Sequence, residues 1–142
     1  MCKVMLDYSS RMFAAKPRKA RRVPPGILIS IIDDDDSMRS AIVALLRSAG
    51  YDAHGFASAE EFLGCGKVQR FACIVADIQL PRMSGIELKQ YLAACQSPVP
   101  VIMITAHHQL EERALASGAI SFLHKPFEAD ALIGCLERAL KS

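Results

Sequence analysis

Strongly apolar runs of four to seven residues recur along the chain and are typical of buried β-strands. They are ILISII (27–32), ACIVAD (72–77), VPVIMIT (99–105) and ISFL (120–123), and YDAHGF (51–56) is a weaker strand-like stretch. Each is followed by a stretch with the apolar spacing of a helix. These stretches are SMRSAIVALLRSAG (37–50), SAEEFL (58–63), IELKQYLAAC (86–95), LEERALASGA (110–119) and EADALIGCLERALK (128–141).

The resulting order of strand–helix pairs predicts an α/β fold. Continuous apolar strands indicate a parallel sheet that is covered by helices on both faces. Because crossovers between parallel strands are right-handed, the domain should be doubly wound, a (βα)5 three-layer sandwich. The ligand site of such a fold lies at the carboxyl ends of the strands. The residues that follow each strand are therefore the first candidates for function.

Acidic and polar residues stand at these strand ends. Asp33 and Asp34 follow the first strand, Asp77 ends the third, Thr105 ends the fourth, and the fifth leads to Lys125. Carboxylates that converge without a counter-charge repel each other and have raised pKa values. Magnesium relieves such repulsion, and it prefers one or two carboxylates with waters and a phosphate oxygen. We therefore expect a metal site that a phosphoryl group completes.

Two helix starts carry capping residues. Asp35 and Asp36 are expected to stabilise the amino end of the first helix through a hydrogen bond and the helix dipole. Ser58 and Glu61 have the spacing of a capping box at the start of the second helix. Both features support the predicted helix starts.

Length and charge indicate one domain with an extension. The 142 residues, of which 51% are hydrophobic, suffice for one domain with its own core. Residues 1–26 carry seven basic residues against one acidic residue, a net charge of +6, whereas the remaining residues carry −4. We predict a basic, disordered extension over 1–25, able to contact nucleic acid only weakly, and a domain over 26–142.

The sequence also predicts where the protein acts. No run approaches the roughly 18 apolar residues that a membrane span needs. The basic extension lacks the apolar segment of a secretory signal. We therefore expect a cytoplasmic protein without a membrane partner.

Four motifs, in order, resemble the receiver domain of two-component response regulators. They are IIDDDDSMR (31–39), VADIQLPRMSG (75–85), IMITAH (102–107) and SGAISFLHKPF (117–127). With the strand–helix pattern, the resemblance covers about residues 26–141 and is nearest to receivers of regulators with a helix-turn-helix output domain. It implies a CheY-like, flavodoxin-like sheet with the strand order 2-1-3-4-5.

The resemblance also implies a phosphoacceptor and its metal ligands. Asp77 would accept a phosphoryl group from a sensor histidine kinase or a phosphotransfer protein. Magnesium would be bound directly by Asp34 and through water by Asp33, and Asp77 and the backbone carbonyl of Gln79 would be further ligands. The domain would then be a phosphorylated signalling protein and not an enzyme.

The same resemblance implies a switch. Thr105 would bind the phosphoryl group after transfer, Lys125 would pair with it, and Phe122 would be the aromatic residue that moves in response. The Lys125–Pro126 bond is often cis in the family. The face formed by the fourth helix, fifth strand and fifth helix would then bind a partner or form a homodimer. Only 20 positions separate Thr105 from Lys125, which predicts a trimmed loop or helical turn between them.

Two alternatives to a phosphorylated receiver stay open, and so do two ways in which a receiver could transmit its signal. DDDDS (33–37) also fits the opening motif of haloacid-dehalogenase-type phosphatases, with Asp33 as nucleophile and Asp35 as acid, but HKPFEAD (124–130) lacks the late acidic pair of that family. A partner-binding pseudo-receiver would not need every acidic, hydroxyl and lysine position filled, as they are here. A receiver would be either a single-domain regulator or the receiver of a longer transcription factor.

Overall fold

Strands and helices alternate along residues 26–141, the part that the computed structural model describes, apart from the side chain of His108. The strands are β1 (Leu28–Ile32), β2 (Asp52–Phe56), β3 (Cys73–Asp77), β4 (Val101–Thr105) and β5 (Ser121–His124). The helices are α1 (Asp36–Ser48), α2 (Ala59–Gly64), α3 (Gly85–Ala94), α4 (Glu111–Ala116) and α5 (Ala129–Lys141), with single 3₁₀ turns at Val68–Arg70 and His108–Leu110. The basic extension predicted over 1–25 lies outside the described residues.

All five strands form one parallel sheet in the order β2-β1-β3-β4-β5. This confirms the doubly wound α/β prediction and the implied strand order. The register sets Ile32 beside Ala76, so that the next residues, Asp33 and Asp77, lie level at the carboxyl edge. One strand further, Asp77 lies beside Ile104, which places Thr105 one step beyond it. The sheet register thus brings the polar strand ends together.

Two hydrophobic layers cover the sheet, one on each face. Strand residues alternate between them, since Ile29 and Ile31 face one layer and Ile32 the other. The first layer contains apolar residues of α1 and α5, among them Ile42, Leu46, Leu132 and Leu136. The second contains apolar residues of α2, α3 and α4, among them Phe62, Leu88 and Ala114. Burial on both faces explains why the central strands are apolar throughout.

Helix starts follow the predicted caps with one exception. The carboxylate of Asp35 accepts a hydrogen bond from Met38 N–H at 3.0 Å, and so caps α1 as expected. The Ser58 hydroxyl likewise accepts from Glu61 N–H at 3.0 Å. The Glu61 carboxylate, however, accepts from Ala57 N–H at 3.3 Å and not from the capping residue, so the predicted box is only half formed. A complete capping box stands instead at α3, where Ser84 and Glu87 exchange both hydrogen bonds.

The helix between β4 and β5 is shorter than the sequence predicts. The helix expected over 110–119 spans only Glu111–Ala116, six residues, after the 3₁₀ turn. It ends early because Gly118 adopts a left-handed φ of +96°, which favours glycine and stops a helix.

No helix within residues 26–141 is long and apolar enough to cross a membrane.

Candidate functional site

Three carboxylates meet at the carboxyl edge of the sheet. Asp33 and Asp34 follow β1 and Asp77 ends β3, and one carboxylate oxygen from each lies within 4.8 Å of the others. Asp33 and Asp77 are buried, whereas Asp34 is exposed and opens the cluster to solvent. Hard divalent cations take carboxylate oxygens in such a setting and keep their remaining waters on the open side. The donor set therefore fits Mg²⁺.

One ammonium group faces this cluster from the far end of the chain. Lys125 Nζ donates to Asp77 Oδ2 at 2.9 Å and to Asp33 Oδ2 at 3.4 Å, across 48 and 92 positions of sequence. The lysine side chain is only 20% exposed, so solvent screens these pairs weakly. The Lys125–Pro126 peptide bond is cis. Lys125 thus neutralises part of the negative charge.

The pKa of Asp33 reflects both its burial and the charges beside it. Burial raises the pKa of Asp33 to about 6, although Lys125 and a backbone hydrogen bond act against the rise. Burial works to lower the pKa of Lys125, but the carboxylates of Asp33 and Asp77 outweigh it and raise that pKa overall. The charge of Lys125 therefore does not offset the cost of burying the Asp33 carboxylate in its ionised form. A second cation would lower that cost.

Backbone hydrogen bonds orient both buried carboxylates. Asp33 Oδ1 accepts from Asp35 N–H at 2.9 Å, and Asp77 Oδ1 accepts from Gln79 N–H at 2.9 Å. Each carboxylate therefore has one oxygen fixed by the following loop and the other directed to Lys125. Fixed orientations of this kind lower the cost of binding a metal or a reacting group.

The hydrogen bonds of Thr105 and the ring contact of Phe122 are with other residues than the three carboxylates. Thr105 is fully buried, and its hydroxyl accepts from His107 N–H at 2.9 Å and donates to His107 O at 3.3 Å. Phe122 is half-buried on β5, where its ring meets that of His124 edge-on at 5.1 Å. Among the predicted residues, Asp33, Asp34, Asp77 and Lys125 are thus brought together, while Thr105 is bonded to its own loop.

Two supporting residues belong to the quoted motifs but had been given no role. Arg39 on α1 donates to the backbone carbonyl of Asp33 at 2.8 Å and also pairs with Asp36, which fixes the loop that carries Asp34. Gly85 starts α3 so close to β3 that a Cβ at this position would lie 2.6 Å from the carbonyl oxygen of Asp77. Only glycine permits that approach without a backbone shift.

A third supporting residue had no signal in the sequence. The carboxylate of Glu60 on α2 accepts from Met83 N–H at 3.0 Å, across 23 positions, in the loop after Asp77. An acidic residue in the first turn of a helix is ordinarily explained by the helix dipole alone. Its contact with the loop follows from the tertiary fold.

Comparison with known proteins gives one consistent family. A family model described as the response regulator receiver domain matches residues 29–137. The transcriptional regulatory protein FixJ of Bradyrhizobium diazoefficiens is 40% identical over 115 residues, which are 80% of this chain and 56% of that protein. The response regulator protein TodT of Pseudomonas putida is 33% identical over 80% of this chain and 51% of its own length. The chain spans about half the length of the curated relatives it matches.

A solved structure agrees with these sequence matches. The crystal structure of FixJ-N superposes with a TM-score of 0.76 at 32% identity. The match covers 81% of this chain and 94% of that one. The similarity therefore extends over nearly the whole of the described part of the chain.

Proposed function

This chain belongs to the response regulator receiver family, and we propose on that basis that Asp77 accepts a phosphoryl group in a Mg²⁺-dependent two-component phosphorelay. One observation carries the assignment to Asp77. Its buried carboxylate lies 2.9 Å from Lys125 Nζ and within 4.8 Å of the carboxylates of Asp33 and Asp34. A nucleophile, a counter-ion and a metal-binding pair thus share one edge of the sheet.

The donor would be a phosphohistidine of a sensor histidine kinase or of a phosphotransfer protein. An oxygen of Asp77 attacks the phosphorus in line, the phosphorus–nitrogen bond breaks, and the imidazole leaves and takes up a proton. A Mg²⁺ held by Asp34, Asp77 and the backbone carbonyl of Gln79, with Asp33 bound through water, would neutralise the charge that develops on the phosphoryl oxygens. Lys125 supplies a second, permanent positive charge at the same place.

The acyl phosphate would then act on Thr105. To donate to a phosphoryl oxygen, the Thr105 hydroxyl would give up the hydrogen bond that it donates to His107 O, and its movement toward Asp77 would free space beside β5. Phe122 can turn into that space, and the face of α4, β5 and α5 changes its arrangement. Because the two states differ in local hydrogen bonds and packing, a charge added at Asp77 can shift their populations.

The rearranged face would bind a partner or a second copy of the chain. The relatives FixJ and TodT are named as a transcriptional regulatory protein and a response regulator. We propose the same class of cytoplasmic role, either for this domain alone or as the receiver of a longer transcription factor. Residues 1–25 would add a weak nucleic-acid contact at most.

One observation disfavours the phosphatase alternative. That mechanism needs Asp35 as a general acid beside Asp33. Here the Asp35 carboxylate accepts from Met38 N–H and caps α1, so it is committed to a structural bond. We therefore propose a phosphoacceptor and not a hydrolase.

Intact-mass spectrometry after incubation with acetyl phosphate tests the proposal. We expect wild type to gain one phosphoryl group only with Mg²⁺, Asp77→Asn to gain none, and the control Asp52→Asn, which changes an exposed residue of β2, to match wild type. A lack of any adduct would favour a pseudo-receiver. Release of phosphate that persists in Asp77→Asn but stops in Asp33→Asn would favour the phosphatase.

A further inference from the structure

The loop between β3 and α3, residues 78–84, carries a proposed metal ligand and is fixed at both ends. At its start, Gln79 N–H donates to Asp77 Oδ1 at 2.9 Å. At its end, Gly85 N–H donates to Ile78 O at 2.9 Å, and Ser84 forms the capping box of α3. Between these two ends, the N–H of Met83 is bound by a residue of a different element.

Glu60 on α2 makes that connection. Its Oε2 accepts from Met83 N–H at 3.0 Å, and its Oε1, which solvent does not reach, lies 3.9 Å from Arg82 Nε. Backbone N–H groups, its own and that of Met83, lower the pKa of Glu60, so the carboxylate is ionised at neutral pH. A charged acceptor makes the stronger kind of hydrogen bond to an amide.

The backbone conformation between these contacts is unfavourable without support. Arg82 has a φ of +63°, in the left-handed region that residues with a Cβ adopt at a cost. A conformation of this kind persists where surrounding contacts hold it. Arg82 directly precedes Met83. The Glu60 carboxylate therefore accepts the hydrogen bond of Met83 N–H and also attracts the guanidinium group of Arg82.

We infer that Glu60 is a positioning residue for the metal site, which holds loop 78–84 so that the backbone carbonyl of Gln79 stays in reach of Mg²⁺. The inference rests on the proposed function of that site. Without the acceptor, Met83 N–H loses its partner and the turn at Arg82 relaxes. Because the Gly85–Ile78 hydrogen bond closes the loop into a short turn, we expect a relaxation at Arg82 and Met83 to shift Gln79. A residue that orients a metal ligand in this way raises the affinity of the site for the metal, although it does not contact the metal itself.

The chain offers a matched control next to Glu60. Glu61 also lies in the first turn of α2, but its carboxylate accepts from Ala57 N–H of the same helix start. Glu60→Ala and Glu61→Ala therefore remove the same group from the same turn, and only the first touches loop 78–84. Glu60→Gln keeps an oxygen that can accept from Met83 N–H while it removes the charge.

Calorimetric titration of the whole chain with Mg²⁺ alone tests the inference. We expect Glu60→Ala to weaken the affinity about tenfold, Glu60→Gln to retain more of it, and Glu61→Ala to match wild type. A merely structural role would lower the melting temperatures of both alanine variants and leave Mg²⁺ affinity unchanged. Equal Mg²⁺ affinities for Glu60→Ala and Glu61→Ala would overturn the inference.

Two further measurements separate the possible failures. If wild type neither binds Mg²⁺ nor gains a phosphoryl group, the proposed function fails; if it does both while Glu60→Ala equals Glu61→Ala, only the positioning role fails. Should Glu60→Ala not fold, amide hydrogen exchange of metal-free wild type decides. The Met83 amide must then be protected as strongly as the amides inside α3, and rapid exchange there would overturn the inference.

Discussion

Asp33 shows how a functional site can oppose the stability of its own fold. The carboxylate is 1% exposed, and burial raises its pKa to about 6 from 3.8. A folded-state pKa above the unfolded value means that the folded protein binds the proton more tightly. The contribution of Asp33 to stability is therefore present below about pH 4 and is lost as the pH rises through 6.

Asp33→Asn should accordingly stabilise the metal-free protein. Asparagine keeps an oxygen for Asp35 N–H and carries no charge to desolvate. At 1.36 kcal/mol per pKa unit, the shift corresponds to about 3 kcal/mol in the free energy of unfolding at pH 7, with the difference from wild type vanishing near pH 4. Urea denaturation across pH 4–7 measures it.

Asp34→Asn is the control, because that carboxylate is exposed and its removal should change metal-free stability little. Adding Mg²⁺ should raise the free energy of unfolding of wild type and have much less effect on either variant. A metal-free Asp33→Asn protein that is less stable than wild type at pH 7 would contradict this account.

Between elements, β3 and α3 approach each other closely at Gly85. Gly85→Ala would set a Cβ 2.6 Å from the Asp77 carbonyl oxygen and 3.0 Å from Ile78 Cα, so backbone must move. We expect a loss of about 1–3 kcal/mol in the free energy of unfolding and slower phosphorylation by acetyl phosphate. Chemical denaturation and intact-mass time courses measure the two effects.

Gly134→Ala is the matched substitution inside α5. There an added Cβ meets only the Arg138 side chain at 3.5 Å, an ordinary contact. It should stabilise the protein by about 0.5–1 kcal/mol, since alanine favours helix interiors over glycine. If both alanine variants were equally stable, the close approach at Gly85 would not be the reason for glycine there.

The elements themselves could be predicted from the sequence, but their ends and long-range contacts could not. Apolar runs and helical spacing indicated every strand and helix, because burial on two faces or one stripe leaves a periodic trace. The early end of α4 depends on the backbone conformation of Gly118. The partner of the Glu61 carboxylate depends on which backbone N–H lies nearest to it. The contact of Glu60 with Met83 joins residues from separate elements, and no local pattern signals it.

The candidate site was predictable for a different reason. In a parallel sheet the strand ends share one edge, so Asp33, Asp77 and the residues after β5 had to converge once the order of strands was known. The same argument does not give side-chain partners. That Lys125 reaches two carboxylates, and that Thr105 bonds to His107, are properties of rotamers and of loop paths.

At the scale of the whole molecule, one face carries the exposed apolar residues expected of an interface. Leu115 on α4 and Ile120 before β5 are 49% and 44% exposed, on the face that phosphorylation would rearrange. We expect acetyl phosphate and Mg²⁺ to shift wild type toward dimers, and Leu115→Glu to stay monomeric while it still gains the phosphoryl group, because a buried unpaired carboxylate opposes association. Analytical ultracentrifugation measures the shift.

Tyr91→Glu is the control for surface charge. Tyr91 is 48% exposed on α3, outside the face of α4, β5 and α5, and its replacement should leave dimer formation unchanged. A phosphorylated Leu115→Glu protein that still forms dimers would place the interface elsewhere.

The ion pairs of Lys125 link positions 33, 77 and 125, and this span has a consequence for biosynthesis. On the ribosome the first acidic pair emerges long before the lysine that offsets it, and a contact over 92 positions forms only when the intervening chain is in place. A truncated or half-translated molecule holds carboxylates with no counter-charge. We therefore expect the arrangement of Asp33, Asp77 and Lys125 to form only after nearly the whole domain has been synthesised.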